Sequence, residues 1–273
     1  MAIYVITGVS RGIGYGFLGL LSEKSENLVI GIVRDKPATD KKLSEDAELK
    51  GRSNIHILQA DLTDYNALKK AAEDTTQITG GRVDYLIANA GIIPLFDAYE
   101  PIGNYADRPQ ELEECLKQVF QINVIGNVHL FNLFLPLILK GQAKKVITLT
   151  SGFADMEWTN QWDLTPAPFY STSKAAMNMI TAKYSAQYKK DGVLFLSLSP
   201  GMVEVGLYKD ATQEDLGRLT GTLAKFSEYS PTFAGPITPE ESVRAMQSVW
   251  EKASIENGDG GNFLSHKGDK IWI

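Results

Sequence analysis

Tyr170 and Lys174 stand four residues apart, and the run that follows them, Ala175–Gln187, is rich in alanine and methionine without glycine or proline. This composition predicts a helix, and the spacing places both side chains on one helical face. A free tyrosine has a pKa of about 10, so it is a poor acid or base near neutral pH. A neighbouring ammonium favours the phenolate and lowers that pKa. The pair predicts a general acid or base, although tyrosine and lysine at this spacing also occur by chance on half-exposed helices.

A glycine-rich segment follows the first predicted strand. The apolar run Ala2–Thr7 is followed by Gly8-Val9-Ser10-Arg11-Gly12-Ile13-Gly14 and then by a helical pattern through Leu21. A strand, a glycine turn and a helix bring backbone amides and a helix N-terminus to a pyrophosphate. A tight turn alone would use the same glycines. The position of the motif at the first strand–helix junction nevertheless favours a dinucleotide site.

Apolar β patterns alternate with helical patterns along the rest of the chain. This alternation predicts an α/β fold, a single-domain Rossmann-type doubly wound parallel sheet flanked by helices over residues 1–273. A long helix is predicted over Gln110–Leu135 and another over Glu240–Lys252. The further strands are predicted at Leu28–Val33, Ile55–Gln59, Tyr85–Ala88, Lys145–Thr150, Val193–Ser199 and Gly261–Leu264.

The segment Met202–Pro239 is polar, weakly patterned and punctuated by glycine and proline. Because it follows a predicted strand end, where ligands bind in parallel sheets, we expect a mobile substrate lid over roughly residues 202–239.

Composition excludes several classes of partner. The formal charge of −6 argues against nucleic acid or an anionic membrane as the main partner. Cys115 is the single cysteine and the three histidines are scattered, so we expect no disulfide and no metal site. The first strand begins near Ile3, which leaves no room for a targeting peptide, and we expect a cytoplasmic protein. The apolar run Val128–Leu139 is too short to span a bilayer.

Seven motifs in order carry a resemblance to a known family. They are Thr7 to Gly14, Asp61, Asn89-Ala90-Gly91, Asn123, Ser151, Tyr170 with Lys174, and Pro200-Gly201. Across nearly its whole length the chain resembles a classical short-chain dehydrogenase/reductase. The resemblance implies a Rossmann sheet that binds a nicotinamide dinucleotide, with the pyrophosphate at the glycine turn, the adenine at Asp61 and Leu62, and the adenosine ribose at Asn89. The cofactor-binding set that it implies is Gly8, Ser10, Arg11, Gly12, Ile13, Gly14, Arg34, Asp61, Leu62, Asn89, Ala90, Gly91, Tyr170, Lys174, Pro200, Gly201 and Val203.

The same resemblance implies a catalytic set. Tyr170 would give or take the proton, and Lys174 would lower its pKa while holding the nicotinamide ribose. Ser151 would hydrogen-bond the substrate oxygen, and Asn123 would anchor a water that relays protons through Lys174. Hydride transfer to a carbonyl leaves an incipient alkoxide, which needs hydrogen-bond donors, so this set suits a carbonyl or alcohol substrate.

Two departures from the family pattern concern the substrate side. Val205 stands where the family usually has a threonine that bonds the nicotinamide carboxamide. The gap between Ser151 and Tyr170 is longer than is usual for the family and contains several aromatic residues. We expect at least one of Trp158, Trp162 and Phe169 to line an apolar pocket for bulky or aromatic carbonyl compounds, the alternative being that they pack the loop itself.

The choice of cofactor depends on the end of the second strand. NAD-specific Rossmann proteins usually place a carboxylate there to bind the ribose hydroxyls. Here the position is Val33, the next residue is Arg34, and Arg11 stands in the glycine turn. Guanidinium groups bind phosphate through charge-assisted hydrogen bonds, so NADP(H) is predicted. Asp35 leaves an alternative open, because a strand end one residue later would bring its carboxylate to the ribose.

The sequence therefore predicts an NADP-dependent carbonyl reductase that gives a secondary alcohol. A catalytically silent dinucleotide-binding sensor or scaffold is the alternative from another class, since fold does not fix function. An epimerase or dehydratase of the extended relatives is a third interpretation. The family habit of pairing through two long central helices implies a homodimer or homotetramer.

Overall fold

Short runs of β-branched and other apolar residues form the strands, as their intrinsic preference predicts. A computed structural model describes residues 1–207, 209 and 211–273. Within those residues the strands are β1 (Ile3–Thr7), β2 (Leu28–Val33), β3 (Ile55–Gln59), β4 (Tyr85–Ala88), β5 (Lys145–Leu149), β6 (Leu194–Ser199) and β7 (Phe263–Ser265).

These described strands form one seven-stranded sheet in the order β3-β2-β1-β4-β5-β6-β7, and every neighbouring pair is parallel. The strand order reverses between β1 and β4. At such a switch point the connections leave toward opposite faces, and a crevice opens beyond the carboxyl ends of the strands.

Helices cover both faces of the sheet. Several of them have buried residues at every third or fourth position, which form a face toward the sheet. The helices are α1 (Gly12–Ser22), α2 (Lys36–Glu45), α3 (Tyr65–Thr79), α4 (Leu95–Ala98), α5 (Pro109–Phe120), α6 (Gly126–Ile138), α7 (Met156–Gln161), α8 (Pro168–Tyr188), α9 (Gln213–Tyr229) and α10 (Pro239–Lys252).

Alternation along the strands divides the core into two layers. In β1, Ile3 and Val5 face the layer that contains Phe131 of α6, whereas Tyr4 and Ile6 face the opposite layer. Because successive strand residues point to opposite faces, one short strand supplies both layers. Each layer fixes one set of helices relative to the carboxyl ends of the strands.

One continuous helix of 30 residues, Pro109–Ile138, joins α5 and α6 through a π-helical turn at Gln121–Ile125. By length and composition alone it could cross a membrane, which the shorter apolar run considered in the sequence could not. A helix buried in a protein core meets the same criterion, and Phe131 and Phe134 of this helix are fully buried. The helix is therefore explained by its place against the sheet.

The observed elements agree closely with the sequence-based expectations, with two differences. Each predicted strand is present with its ends shifted by two residues at most. The predicted catalytic helix begins earlier, at Pro168, so Tyr170 lies inside its first turn. Within the predicted lid, which includes positions 208 and 210 outside the described residues, the structure has the 17-residue helix α9. Thr212 and Asp215 form a capping box at its start.

Candidate active site

The glycine turn between β1 and α1 has backbone conformations that favour glycine. Gly8 and Gly12 have φ angles of +76° and +57°. A Cβ built at Gly14 would lie 2.2 Å from the carbonyl oxygen of Gly8, so no larger residue fits there. Arg11 is the N-cap of α1, and among the described residues no side chain caps this helix end. The first amides of α1 are therefore left for an anion, which fits the pyrophosphate of a dinucleotide.

The end of β2 lies where the sequence predicts it, at Val33. The carboxylate of Asp35 accepts a hydrogen bond of 2.9 Å from the backbone N–H of Ala38 and thereby caps α2. Arg34 and Arg11 are both exposed, and in residues 1–207, 209 and 211–273 neither forms an ion pair. Arg34 is therefore the residue that follows the strand, and its role at the ribose stays a prediction.

Lys42 of α2 is a further cation beside the glycine turn, which the sequence analysis missed. Its Nζ donates to the carbonyl oxygen of Ser10 at 3.2 Å and lies 3.7 Å from the centroid of the Tyr15 ring. The hydroxyl of Tyr15 donates to Asp46 at 2.6 Å. These contacts hold an ammonium near Ser10 and Arg11, and no local pattern in α2 points to it.

The loops after β3 and β4 complete the predicted cofactor side. Asp61 accepts hydrogen bonds of 2.8 Å from the backbone and the hydroxyl of Thr63, and Leu62 is buried against Gly126 of α6. Asn89 Nδ2 donates to the carbonyl oxygens of Thr7 and Gly8 at 2.8 and 3.2 Å. The loop after β4 is thereby fastened to the glycine turn.

Lys174 is buried behind Tyr170. Its Nζ donates to the carbonyl oxygen of Leu149 at 2.8 Å and lies 5.7 Å from the centroid of the Tyr170 ring. A Cβ built at Gly91 would be 3.3 Å from this Nζ, so the loop after β4 approaches the ammonium closely. Burial lowers the pKa of Lys174 to about 8. The ammonium is still present at neutral pH, where it favours the phenolate form of a nearby tyrosine.

Asn123 lies in the π-helical turn of the long helix and is fully buried. Its Oδ1 accepts from the backbone N–H of Ile92 at 2.8 Å, and its Nδ2 donates to the Ile92 carbonyl and to the Ser173 hydroxyl, both at 3.0 Å. The amide in an apolar helix is explained by these bonds, which join the loop after β4 to α8. A role in anchoring water stays a prediction.

Tyr170 and Ser151 line the same cavity, which has a volume of about 180 Å³. Tyr170 lies in the first turn of α8, and Ser151 follows β5 and begins a short 3-10 turn over Gly152–Ala154. Two side chains that carry hydroxyl groups therefore line one space. Such a pair can donate two hydrogen bonds to a single oxygen atom that acquires negative charge.

Most of the cavity wall is apolar and comes from segments far apart in the sequence. Trp158 lines it, which confirms the expectation for one of the three aromatic residues in the long loop. Trp162 and Phe169 are absent from the described wall: Trp162 packs against Tyr229, and Phe169 packs against Tyr105. The remaining apolar wall includes Phe153, Val203, Val205, Leu219, Phe226, Trp272 and Ile273.

The C-terminal residues of the wall were missed by the sequence analysis. A Cβ built at Gly152 would lie 2.4 Å from Cβ of Trp272, so this tryptophan packs directly on the turn that follows Ser151. The Trp272 ring stacks on Phe263 of β7 at 4.2 Å between centroids. Without Trp272 this side of the cavity would be open. The local signal in the sequence is the apolar run Ile271–Ile273 after a polar stretch.

Pro200 and Gly201 follow β6 at the same edge of the sheet and also line the cavity. Gly201 has a φ angle of +81°, and a Cβ there would lie 2.8 Å from the imidazole of His266. Burial lowers the pKa of His266 to about 4, so it is a neutral packing residue. Val205 lies against the glycine turn, because a Cβ at Gly12 would be 3.1 Å from its Cγ1.

Helix α9 forms the outer side of the cavity through Leu219, Thr222 and Phe226. Arg218 of this helix forms an ion pair with Glu100, which lies just after α4. The pair fastens the middle of the predicted lid to the opposite wall. A larger depression of about 320 Å³ lies at the β3 edge between α2 and β3, and none of the predicted site residues lines it.

Lys174→Met replaces the buried ammonium by an apolar side chain of similar length. The folded-state pKa of about 8 lies below the ordinary lysine value of 10.5, so between these values the unfolded chain binds more protons and wild-type stability rises with pH. Relative to wild type, the free energy of unfolding of Lys174→Met should therefore fall by roughly 1–3 kcal/mol from pH 7 to pH 10. Denaturant unfolding at several pH values measures this.

Lys183→Met is the matched control, because Lys183 is exposed on the same helix. Its stability relative to wild type should not vary over the same range. An equal pH dependence in the two variants would contradict the buried ammonium as its cause.

The fold and the site can be compared with known proteins. The family model described as short chain dehydrogenase matches residues 2–216. The short chain dehydrogenase virK of Hypocrea virens is 56% identical over 273 residues, covering 100% of both chains. The short-chain dehydrogenase/reductase iacC of Pestalotiopsis fici is 52% identical over 274 residues, again covering 100% of both.

Among solved structures, a carbonyl reductase from chicken fatty liver with NADPH bound has a TM-score of 0.77 and 25% identity, with 98% of each chain covered. The carbonyl reductase Sniffer of D. melanogaster has a TM-score of 0.73 at 23% identity, covering 98% of this chain and 97% of that one, and supports the fold. From the family match and the two fungal relatives, this chain belongs to the short-chain dehydrogenase family of oxidoreductases.

Proposed function

We propose that the protein is an NADP-dependent carbonyl reductase, which reduces a bulky or aromatic ketone to a secondary alcohol with Tyr170 as the proton donor. The family match and the fungal relatives show an oxidoreductase of the short-chain dehydrogenase family. The homodimeric or homotetrameric state and the cytoplasmic location remain predictions.

The observation that carries the proposal is that two side chains with hydroxyl groups line one mainly apolar cavity. Ser151 and Tyr170 face a space whose other walls include the aromatic side chains of Trp158 and Phe226. Pockets of this kind orient a ligand through a few polar groups and bind the remainder through apolar contact. A ketone attached to an aromatic or bulky apolar body has matching chemistry.

The chain's own residues would stabilise and protonate the reacting oxygen. When bound, the nicotinamide supplies the hydride to the carbonyl carbon. Tyr170 donates its phenolic proton to the carbonyl oxygen, and Ser151 donates a second hydrogen bond to the same oxygen. Lys174 stabilises the phenolate that remains on Tyr170. The amide of Asn123 keeps the loop after β4 beside Lys174 through its bonds to Ile92.

Several residues at the glycine turn support NADP(H) over NAD(H). Oδ1 of Asp35 accepts a hydrogen bond from the backbone N–H of Ala38, which holds this carboxylate at the start of α2. Arg11 and Arg34 are exposed, and the ammonium of Lys42 lies against Ser10. A phosphate on the ribose would meet cations in place of the carboxylate that NAD-specific proteins use. The NADPH named for the chicken carbonyl reductase agrees with this preference.

Tyr170→Phe tests the proposed proton donor. The variant removes one hydroxyl and keeps the ring, so the fold and NADPH affinity should be retained while kcat falls by about 10²–10⁴-fold, the usual value of general acid catalysis. Consumption of NADPH with a panel of aromatic and aliphatic ketones, diketones and quinones measures turnover. Fluorescence titration measures binding of NADPH.

Tyr184→Phe is the control, because Tyr184 lies on the same helix and its hydroxyl bonds Asn132 outside the cavity. Near-normal turnover in a folded Tyr170→Phe protein would refute the mechanism. Binding of NADPH by the wild type without turnover of any ketone would instead favour the sensor or scaffold interpretation.

Arg34→Ala tests the cofactor preference. Wild type should favour NADPH over NADH by at least about 10-fold in kcat/KM, and the variant should lose most of that preference through a higher KM for NADPH, because a charged phosphate contact contributes roughly 1.5–3 kcal/mol. Arg244→Ala is the control, since Arg244 is exposed on α10 and pairs with Glu23. Equal use of both cofactors by the wild type would exclude a phosphate contact at Arg34.

Trp158→Phe and Trp162→Phe form a matched pair for the pocket. Trp158 lines the cavity and Trp162 packs outside its described wall, so only the first substitution should change KM for a large aromatic ketone relative to a small aliphatic one. A several-fold change in that ratio is expected from the loss of buried aromatic contact. Equal ratios in both variants would leave Trp158 with a packing role alone.

A further inference from the structure

Helix α8 carries both Tyr170 and Lys174, yet it begins without a side-chain cap of its own. Its N-cap residue is Ala167, which has no polar side chain and has a φ angle of +56°, in the left-handed region. Pro168 is the first helical residue, so the first free amides are those of Phe169 and Tyr170. An N-cap side chain normally accepts hydrogen bonds from these two positions, and leaving them unpaired in a buried site is costly.

Asp97 supplies the missing cap from a segment more than seventy residues away. Its Oδ1 accepts from the N–H of Phe169 at 3.0 Å, and its Oδ2 accepts from the N–H of Tyr170 at 2.7 Å. Its backbone carbonyl accepts from the N–H of Ala167 at 3.0 Å. One residue of α4 therefore holds the three consecutive amides available at the start of α8, including that of the proposed proton donor.

We infer that Asp97 is a positioning residue for the proposed reaction, which fixes where the phenol of Tyr170 stands relative to Ser151 and Lys174. Lys174 lies one turn further along α8 and has its own anchor at the carbonyl of Leu149. A loosened first turn would thus move Tyr170 while Lys174 stayed in place. Misplacement of a reacting group by about 1 Å can lower a rate by about 10²-fold.

The surroundings of Asp97 explain why its geometry is definite. Asp97 is fully buried, and Phe96, Tyr105, Cys115 and Phe169 pack in the apolar cluster around it. Burial raises the pKa of Asp97, and the amides of Tyr170 and Phe169 oppose that shift. The positive end of the helix dipole favours a carboxylate at this place. A buried carboxylate without these partners would be strongly unfavourable, so the carboxylate is held against the start of α8.

Asp84 offers a matched control elsewhere in the fold. It is also a buried carboxylate, and its oxygens accept from the backbone N–H groups of Ile3 at 2.9 Å and Gln142 at 2.6 Å. It lies at the amino ends of β1, β4 and β5, whereas the cavity lies at the carboxyl ends. Loss of either carboxylate removes two bonds to backbone N–H groups, and loss of Asp84 also removes an ion pair with Arg82. Of the two, Asp97 is the one that bonds to α8.

The test compares Asp97→Asn with Asp84→Asn at a temperature where both are folded. An asparagine at 97 keeps one acceptor and turns its NH₂ toward the second amide, so kcat should fall by at least about 10-fold through displacement of Tyr170. The dissociation constant of NADPH should stay within about twofold, and Asp84→Asn should keep its kcat within about twofold at a similar loss of Tm. Equal kcat values in the two variants would overturn the inference.

The inference rests on the proposed function, so a readout that does not depend on activity is needed. Amide hydrogen exchange provides it. Amide exchange in the peptide 168–174 should be faster in Asp97→Asn than in wild type and unchanged in Asp84→Asn. If the wild type reduces no ketone, the proposed function fails, and unchanged exchange in Asp97→Asn would then overturn the anchoring of Tyr170 separately. Asp97→Ser, which keeps a shorter acceptor, replaces Asp97→Asn if that variant does not fold.

Discussion

The junction between the ends of β1 and β4 is the constraint on which the rest of the site depends. The buried hydroxyl of Thr7 accepts hydrogen bonds from the backbone N–H groups of Asn89 and Ala90, and the side chain of Asn89 returns bonds to the carbonyls of Thr7 and Gly8. The two strands are neighbours at the point where the sheet reverses its order. Because the two loops are bonded to each other, the glycine turn and the loop after β4 form one edge of the sheet. Gly91 of that loop lies close to Lys174.

The strands were predictable because their signals are local. Leu28–Val33, Ile55–Gln59 and Tyr85–Ala88 have the same bounds in the sequence analysis and in the structure. Each is a compact apolar run that ends at a polar or glycine residue, and a buried parallel strand requires little more than that. The motif residues at their carboxyl ends were brought to one edge by topology alone, as the parallel order requires.

The remaining features depend on contacts between distant segments. The cap that Asp97 provides joins residues 73 positions apart, and no window of sequence contains both partners. The sequence predicts an irregular lid where the structure has helix α9, because the apolar face of this helix is narrow. Its capping box at Thr212 and Asp215 is visible in the sequence. Trp158, Trp162 and Phe169 are all large aromatic residues in the same segment of sequence. Only the direction of each side chain in the fold decides which of them lines the cavity.

The proposed proton donor and part of the cavity wall belong to different parts of the chain. Tyr170, Lys174 and Ser151 lie on α8 and at the end of β5, within the region that matches the family model, whereas Phe226 and Trp272 lie beyond its end at residue 216. Substitutions in α9 or at the C-terminal residues therefore change the cavity wall without replacing a residue of the sheet. Such modularity makes the framework evolvable, since substrate range can diverge while the reaction is kept, and it marks α9 and residues 270–273 as the natural region for directed evolution.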